Sequence, residues 1–95
     1  MVFNAMIKLS RNKLLSQAEG NIRKAYKAKR ITVEGDNWIY KDRFGKTESY
    51  TLDNLAGLFW TLLNNELVSF NPQANFGLGN ITVEDIKNII LKVRG

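Results

Sequence analysis

The 95-residue sequence contains no cysteine, no histidine and a single proline. Without Cys and His, the chain lacks the usual zinc ligands, the thiol nucleophile and the imidazole base of the Ser-His-Asp arrangement. A chain without cysteine cannot form disulfides, which fits a reducing compartment. We therefore expect a non-enzymatic, cytoplasmic protein that needs no metal or organic cofactor. A Mg²⁺-dependent hydrolase built from carboxylates is the enzymatic alternative.

Long hydrophobic runs are also missing. No stretch of about 18 apolar residues occurs, so we expect no membrane-spanning helix and no membrane partner. The length fits one domain, and a hydrophobic fraction of 44% is ample for a folded core. No segment matches a nucleotide-binding loop, a zinc finger or an RNA-recognition signature, so no motif indicates an activity.

Positive charge is concentrated at one end of the chain. Residues 1–30 contain eight Lys or Arg and one acid, Glu19, whereas residues 31–95 contain six bases and eight acids. The net charge of +5 is thus a basic N-terminal third joined to a mildly acidic remainder. Such asymmetry predicts a polyanionic partner.

The basic segment has helical periodicity from residue 11 to about 29. Its apolar residues fall within one arc of a helix, and Ser10 is the predicted N-cap. Gly20 weakens the helix by about 1 kcal/mol relative to Ala, so a break near Gly20 is an alternative. The opposite face carries a basic stripe of Lys13, Arg23, Lys24, Lys27 and Arg30.

Between residues 31 and 51 the periodicity changes to two. This pattern predicts a three-stranded antiparallel meander with turns near 35–37 and 42–46. Two registers are open. With a two-residue Asp36-Asn37 loop, Val33 lies opposite Tyr40, and Trp38 shares their face. In the other register, Trp38 and Tyr40 turn to the opposite face of the sheet.

The remaining sequence predicts two further helices. The first spans about 52–65 and is apolar on most of its circumference, and the second spans about 83–93. Between them we expect a short strand at 67–70 and a loop at 71–80. The predicted fold is a single α+β domain, in which a basic helix, the meander and two further helices pack on one face of the sheet.

For function, the sequence predicts a protein that binds a polyanion, first of all nucleic acid, with little sequence preference. The basic stripe would contact phosphates, and the turn residues Arg43, Phe44 and Lys46 would extend the same surface. Aromatic residues beside cations are typical of single-strand binders. For Trp38 and Tyr40, however, the packed face of the sheet is the preferred interpretation.

An alternative hypothesis is a protein inhibitor or adaptor, such as an anti-defence protein encoded by a phage or mobile element. Its basic stripe would dock on an acidic surface of a host protein. Trp60, Phe76 and Leu78 are the predicted interface residues. The surplus of apolar surface on 52–63 also makes a homodimer an option.

Overall fold

The structure is a computed structural model that describes residues 10–70 and 81–95. It confirms the predicted α+β class, with a three-stranded antiparallel meander in the order β1-β2-β3 and three helices. The elements are α1 (Arg11–Lys27), β1 (Ile31–Glu34), β2 (Asn37–Lys41), β3 (Thr47–Tyr50), α2 (Leu52–Phe70) and α3 (Val83–Arg94). The predicted loop at 71–80 lies outside the described residues.

Helix α1 begins at the predicted cap. The Ser10 hydroxyl accepts a hydrogen bond from the Lys13 N–H at 3.2 Å, which satisfies one of the unpaired donors of the first turn. The helix runs without a break through Gly20. Its buried side chains recur every three or four residues and form one apolar stripe: Leu14, Ala18, Ile22 and Ala25.

The β1–β2 hairpin has the predicted register that places Val33, Trp38 and Tyr40 on one face, but its turn differs from the predicted one by one residue. Val33 lies opposite Trp38, so the two-residue loop is Gly35-Asp36 and the expected pairing of Val33 with Tyr40 is wrong. Gly35 has a φ of 64°, as the first central residue of a type II′ turn requires. The glycine therefore determines where the chain reverses.

The face of the sheet that carries Val33, Trp38 and Tyr40 packs against the helices. Trp38 is buried and Tyr40 is half-buried against the core. The indole N–H of Trp38 donates to the Tyr26 hydroxyl at 3.2 Å, which ties β2 to α1. These two strand aromatics thus have the structural role that the preferred interpretation assigned to them.

Helix α2 is longer than predicted. The Thr51 hydroxyl accepts from the Asn54 N–H at 3.2 Å and caps the helix, which then continues to Phe70. The predicted strand at 67–70 is therefore wrong. Leu63 and Leu67 are both buried and four residues apart, so the helical spacing of core contacts prevails over a short apolar run.

Helix α3 begins with a capping box between Thr82 and Asp85. It packs on α1 and α2, and the core of the molecule lies between these three helices and the sheet. The largest fully buried side chains come from all three helices: Leu14, Ile22, Leu55, Leu63, Ile86 and Ile90. No helix in the described part of the chain is both long and apolar enough to cross a bilayer.

Candidate functional site

Arg30 joins the basic end of α1 to the sheet. Its backbone N–H donates to the Ala25 carbonyl at 2.8 Å, and its own carbonyl accepts from the Lys41 N–H at 2.8 Å. The first bond closes a Schellman motif at the end of α1, and the second extends the β1–β2 ladder by one residue. Arg30 therefore lies beside the β2–β3 turn, although 12 residues separate it from Asp42 in sequence.

The β2–β3 turn is a hydrogen-bonded five-residue connection over 42–46. One Asp42 carboxylate oxygen accepts from the Phe44 N–H at 2.8 Å and from the Lys46 N–H at 2.9 Å. Gly45, with a φ of 85°, donates its N–H to the Asp42 carbonyl at 3.0 Å. This network presents the Phe44 ring, which is 82% exposed, with the Arg43 guanidinium 5.1 Å from its centroid.

An open groove of about 760 Å³ lies between this turn and α2, and we call it the hairpin groove. Its basic and aromatic rim consists of Arg30, Arg43, Phe44 and Lys46. Its apolar lining consists of Tyr40, Tyr50, Leu58, Phe59 and Leu62. Tyr40 packs edge-to-face on both Tyr50 and Phe59, with centroids 6.4 and 5.5 Å away, so this lining is one connected aromatic cluster.

Three carboxylates also line the hairpin groove: Asp42, Glu48 and Glu66. Glu48 accepts from the Tyr50 hydroxyl at 3.0 Å and lies 3.3 Å from the Lys46 ammonium; both contacts lower the pKa of Glu48. Burial, and then this same hydrogen bond, raises the pKa of Tyr50. Glu66 accepts from the Gln17 side-chain amide at 3.0 Å. The groove is therefore mixed in charge.

The three basic residues of the groove differ in whether they form ion pairs. Neither arginine forms an ion pair within residues 10–70 and 81–95, whereas Lys46 is paired with Glu48. An arginine without a carboxylate partner keeps its donors for a ligand, and its planar guanidinium suits phosphate. These two side chains are the strongest anion-binding groups of the groove.

The predicted basic stripe of α1 borders the hairpin groove along one edge. Lys13, Gln17, Asn21 and Lys24 follow one another at intervals of three or four residues and form one row along the helix. Gln17 contacts α2 and Asn21 lines the hairpin groove, so Lys13 and Lys24 lie on that side of α1.

Arg23 lies on the other side of α1, towards α3. It donates to Glu19 at 2.8 Å, and Glu19 also accepts from Lys92 of α3 at 2.9 Å. The hydrogen bonds from Lys92 and then Arg23 lower the pKa of Glu19. Arg23 is thus partly neutralised by Glu19, although it lies one helical turn from Lys27.

Several groove residues were not predicted from the sequence. Phe59, Leu62 and Glu66 belong to α2, which the sequence identified only as a hydrophobic helix. They reach the groove because α2 packs beside β2 and β3. No local pattern marks them, although the 39% exposure of Leu62 shows that the apolar stripe of α2 is not fully covered.

The predicted protein-interface residues have separate positions. Trp60 is half-buried, and its indole N–H donates to the Ile81 carbonyl at 3.3 Å, so its polar atom is satisfied within the monomer. Phe76 and Leu78 lie outside the described residues.

The fold and the groove together define a small α+β domain with an aromatic and basic hairpin surface. Within the described ranges, no three acidic side chains come together as metal ligands. The chain matches no protein-family model, no curated protein and no solved structure.

Proposed function

We propose that the protein is a small non-enzymatic module that binds nucleic acid through the end of α1 and the β2–β3 turn. The observation that carries this proposal is the convergence of Arg30, Arg43 and Lys46 on one groove beside an exposed Phe44. Cations next to an exposed aromatic ring suit the phosphates and bases of nucleic acid.

Lys24 and Lys27 extend this basic surface along the last turns of α1. Both are exposed, and neither forms an ion pair with any residue that the structure describes. Lysine contacts to phosphate position a strand without reading its bases, so they add affinity and little sequence preference.

Lys29 supports the same interpretation. It is the C′ residue of the Schellman motif and has a φ of 61°, a conformation that favours glycine. A lysine at this position retains positive charge beside Arg30 at the expense of backbone strain. Such a local conflict is typical of sites kept for function.

The experiment is a fluorescence-anisotropy titration with labelled random oligonucleotides at a low and a moderate salt concentration. We expect Arg30→Ala combined with Arg43→Ala to weaken binding by roughly tenfold or more at low salt, because two phosphate contacts are lost. The control is Arg23→Ala combined with Lys92→Gln, which removes the same charge on the α3 side. We expect the control to change affinity less than about twofold.

Absence of binding at low salt, or an equal loss in both double variants, would contradict the proposal. The alternative is then an inhibitor or adaptor that docks on an acidic protein surface. The burial of Trp38 favours that alternative, since it removes one aromatic ring from a nucleic-acid surface. The cytoplasmic location, the phage or mobile-element origin and the homodimer stay predictions of the sequence.

A further inference from the structure

The hairpin groove is not a simple basic patch. Its three cations are accompanied by three carboxylates, so phosphate attraction comes from the unpaired Arg30 and Arg43 and not from the net charge of the groove. A nucleotide has separate parts that fit this mixture: a phosphate, a flat ring and, in some bases, an amino donor. The volume of about 760 Å³ lies within the range of roughly 300–1,000 Å³ for small-molecule sites.

Phe44 supplies a surface for stacking. It is 82% exposed, yet the hydrogen-bonded turn holds its backbone in place. The Arg43 guanidinium covers one face of the ring, which leaves the opposite face for a ligand. In a duplex the base faces are covered by their neighbours, whereas an unpaired base offers its face to an aromatic ring. Phe44 therefore selects for single strands.

Glu66 supplies the hydrogen-bond acceptor. Asp42 is occupied by the two amides of the turn, and Glu48 by Tyr50 and Lys46. Glu66 uses one oxygen for Gln17, and its second oxygen accepts no hydrogen bond from any described residue. Carboxylates accept from the amino group of cytosine, while the thymine carbonyl at that position offers no donor.

We propose that the hairpin groove holds an unpaired, amino-bearing base of single-stranded nucleic acid, stacked on Phe44 and donating a hydrogen bond to Glu66. This inference rests on the proposed function, and it adds a strand type and a base preference that phosphate contacts do not provide. Arg30 and Arg43 then bind the phosphates that flank the base.

The test compares short single-stranded homopolymers of deoxycytidine and of deoxythymidine with a mixed-sequence duplex of the same length. We expect the cytidine strand to bind about fivefold more tightly than the thymidine strand. Phe44→Ala should weaken single-strand binding by about tenfold, through loss of stacking. Leu91→Ala is the matched control, because it truncates an exposed apolar side chain of α3. It should leave affinity unchanged.

Glu66→Gln separates base recognition from general electrostatics. Removing a negative charge should strengthen phosphate attraction for both strands. The ratio of the affinity for the cytidine strand to that for the thymidine strand should fall towards one. A uniform loss of affinity for both strands would instead indicate structural damage and contradict the assigned role, and thermal unfolding of each variant checks its fold.

The outcomes distinguish this inference from the proposed function. Equal binding of both homopolymers and the duplex, with no effect of Phe44→Ala, would overturn the inference and leave the phosphate-binding proposal in place. Absence of binding by all three nucleic acids at low salt would overturn both.

Discussion

Lys29 is a residue whose replacement should stabilise the protein. Its φ of 61° strains a side chain with a Cβ atom, whereas glycine adopts this conformation freely. We expect Lys29→Gly to raise the free energy of unfolding by about 0.5–1 kcal/mol, after the entropy that glycine adds to the unfolded chain. Urea denaturation measures the change.

Lys27→Gly is the matched control, because it removes the same charge from a helical position. It should lower the free energy of unfolding by about 0.5–1 kcal/mol. If both variants destabilised the protein equally, the strain attributed to Lys29 would be refuted.

Among the residues that the structure describes, Asp85 is the carboxylate whose charged form is held most strongly. The Arg11 guanidinium binds both of its carboxylate oxygens, at 2.8 and 2.9 Å, and Thr82 N–H donates at 2.8 Å. Together these hold the pKa of Asp85 well below its usual range, the Arg11 hydrogen bonds being the largest cause. The folded state therefore binds this proton less readily than the unfolded state does.

The stability from Asp85 should be fully present at neutral pH and fall progressively below about pH 4 as the unfolded chain takes up the proton. We expect Asp85→Asn to lower the free energy of unfolding by about 1–2 kcal/mol near neutral pH, because the charged hydrogen bonds from Arg11 and the Thr82 N–H are weakened. The difference from wild type should shrink in acid. Denaturation series at several pH values measure it, and a difference independent of pH would contradict the assignment.

At the level of elements, two glycines should respond to alanine in opposite directions. Gly20 lies inside α1, and a Cβ added there meets nothing within 4 Å. Gly20→Ala should therefore stabilise the protein by about 1 kcal/mol. Gly45, with its φ of 85°, closes the β2–β3 turn, and Gly45→Ala should destabilise it by about 1–2 kcal/mol. Thermal unfolding of both variants provides the comparison, and a change of the same sign in both would contradict it.

The element boundaries show where sequence periodicity is sufficient to predict secondary structure. Helix α1, with its Ser10 cap, could be predicted because periodicity and capping are local. The strand predicted at 67–70 was wrong because a short apolar run fits a strand or a helix, and the burial of Leu67 beside Leu63 is a tertiary contact. The β1–β2 turn was predicted one residue too late, at 36–37 instead of 35–36. Both loops fit the same alternation of apolar and polar residues in the flanking strands.

For the whole molecule, the separation of charges predicts the salt dependence of binding. The proposed contacts are Lys24, Lys27, Arg30, Arg43 and Lys46, all at the end of α1 or in the β2–β3 turn. Lys46 is itself paired with Glu48. Arg23 is left out because it is directed towards α3, where it shares Glu19 with Lys92. Five phosphate contacts give a slope of log K against log salt of roughly −3 to −4 for single strands and −4 to −5 for duplex DNA.

A titration across several salt concentrations measures this slope. A duplex slope of about −6 or steeper would mean that further basic residues such as Lys13 and Arg23 also bind phosphates, and the assignment of five contacts would be contradicted. The slope for Arg23→Ala should equal that of wild type, while the slope for Arg30→Ala should be shallower by about one contact.

Composition, charge distribution and periodicity predicted the α+β class, the Ser10 cap of α1 and the aromatic face of the sheet, because each depends on neighbours within a turn or a hairpin. The hairpin groove could not be found in this way. Arg30, Phe44 and Glu66 come from three distant parts of the chain, and only the packing of α2 beside the sheet brings them to one surface. The pairing of Arg23 with Glu19 is local, because the two residues lie four apart on α1. Only the packing of α3 on α1 adds Lys92 to the same carboxylate.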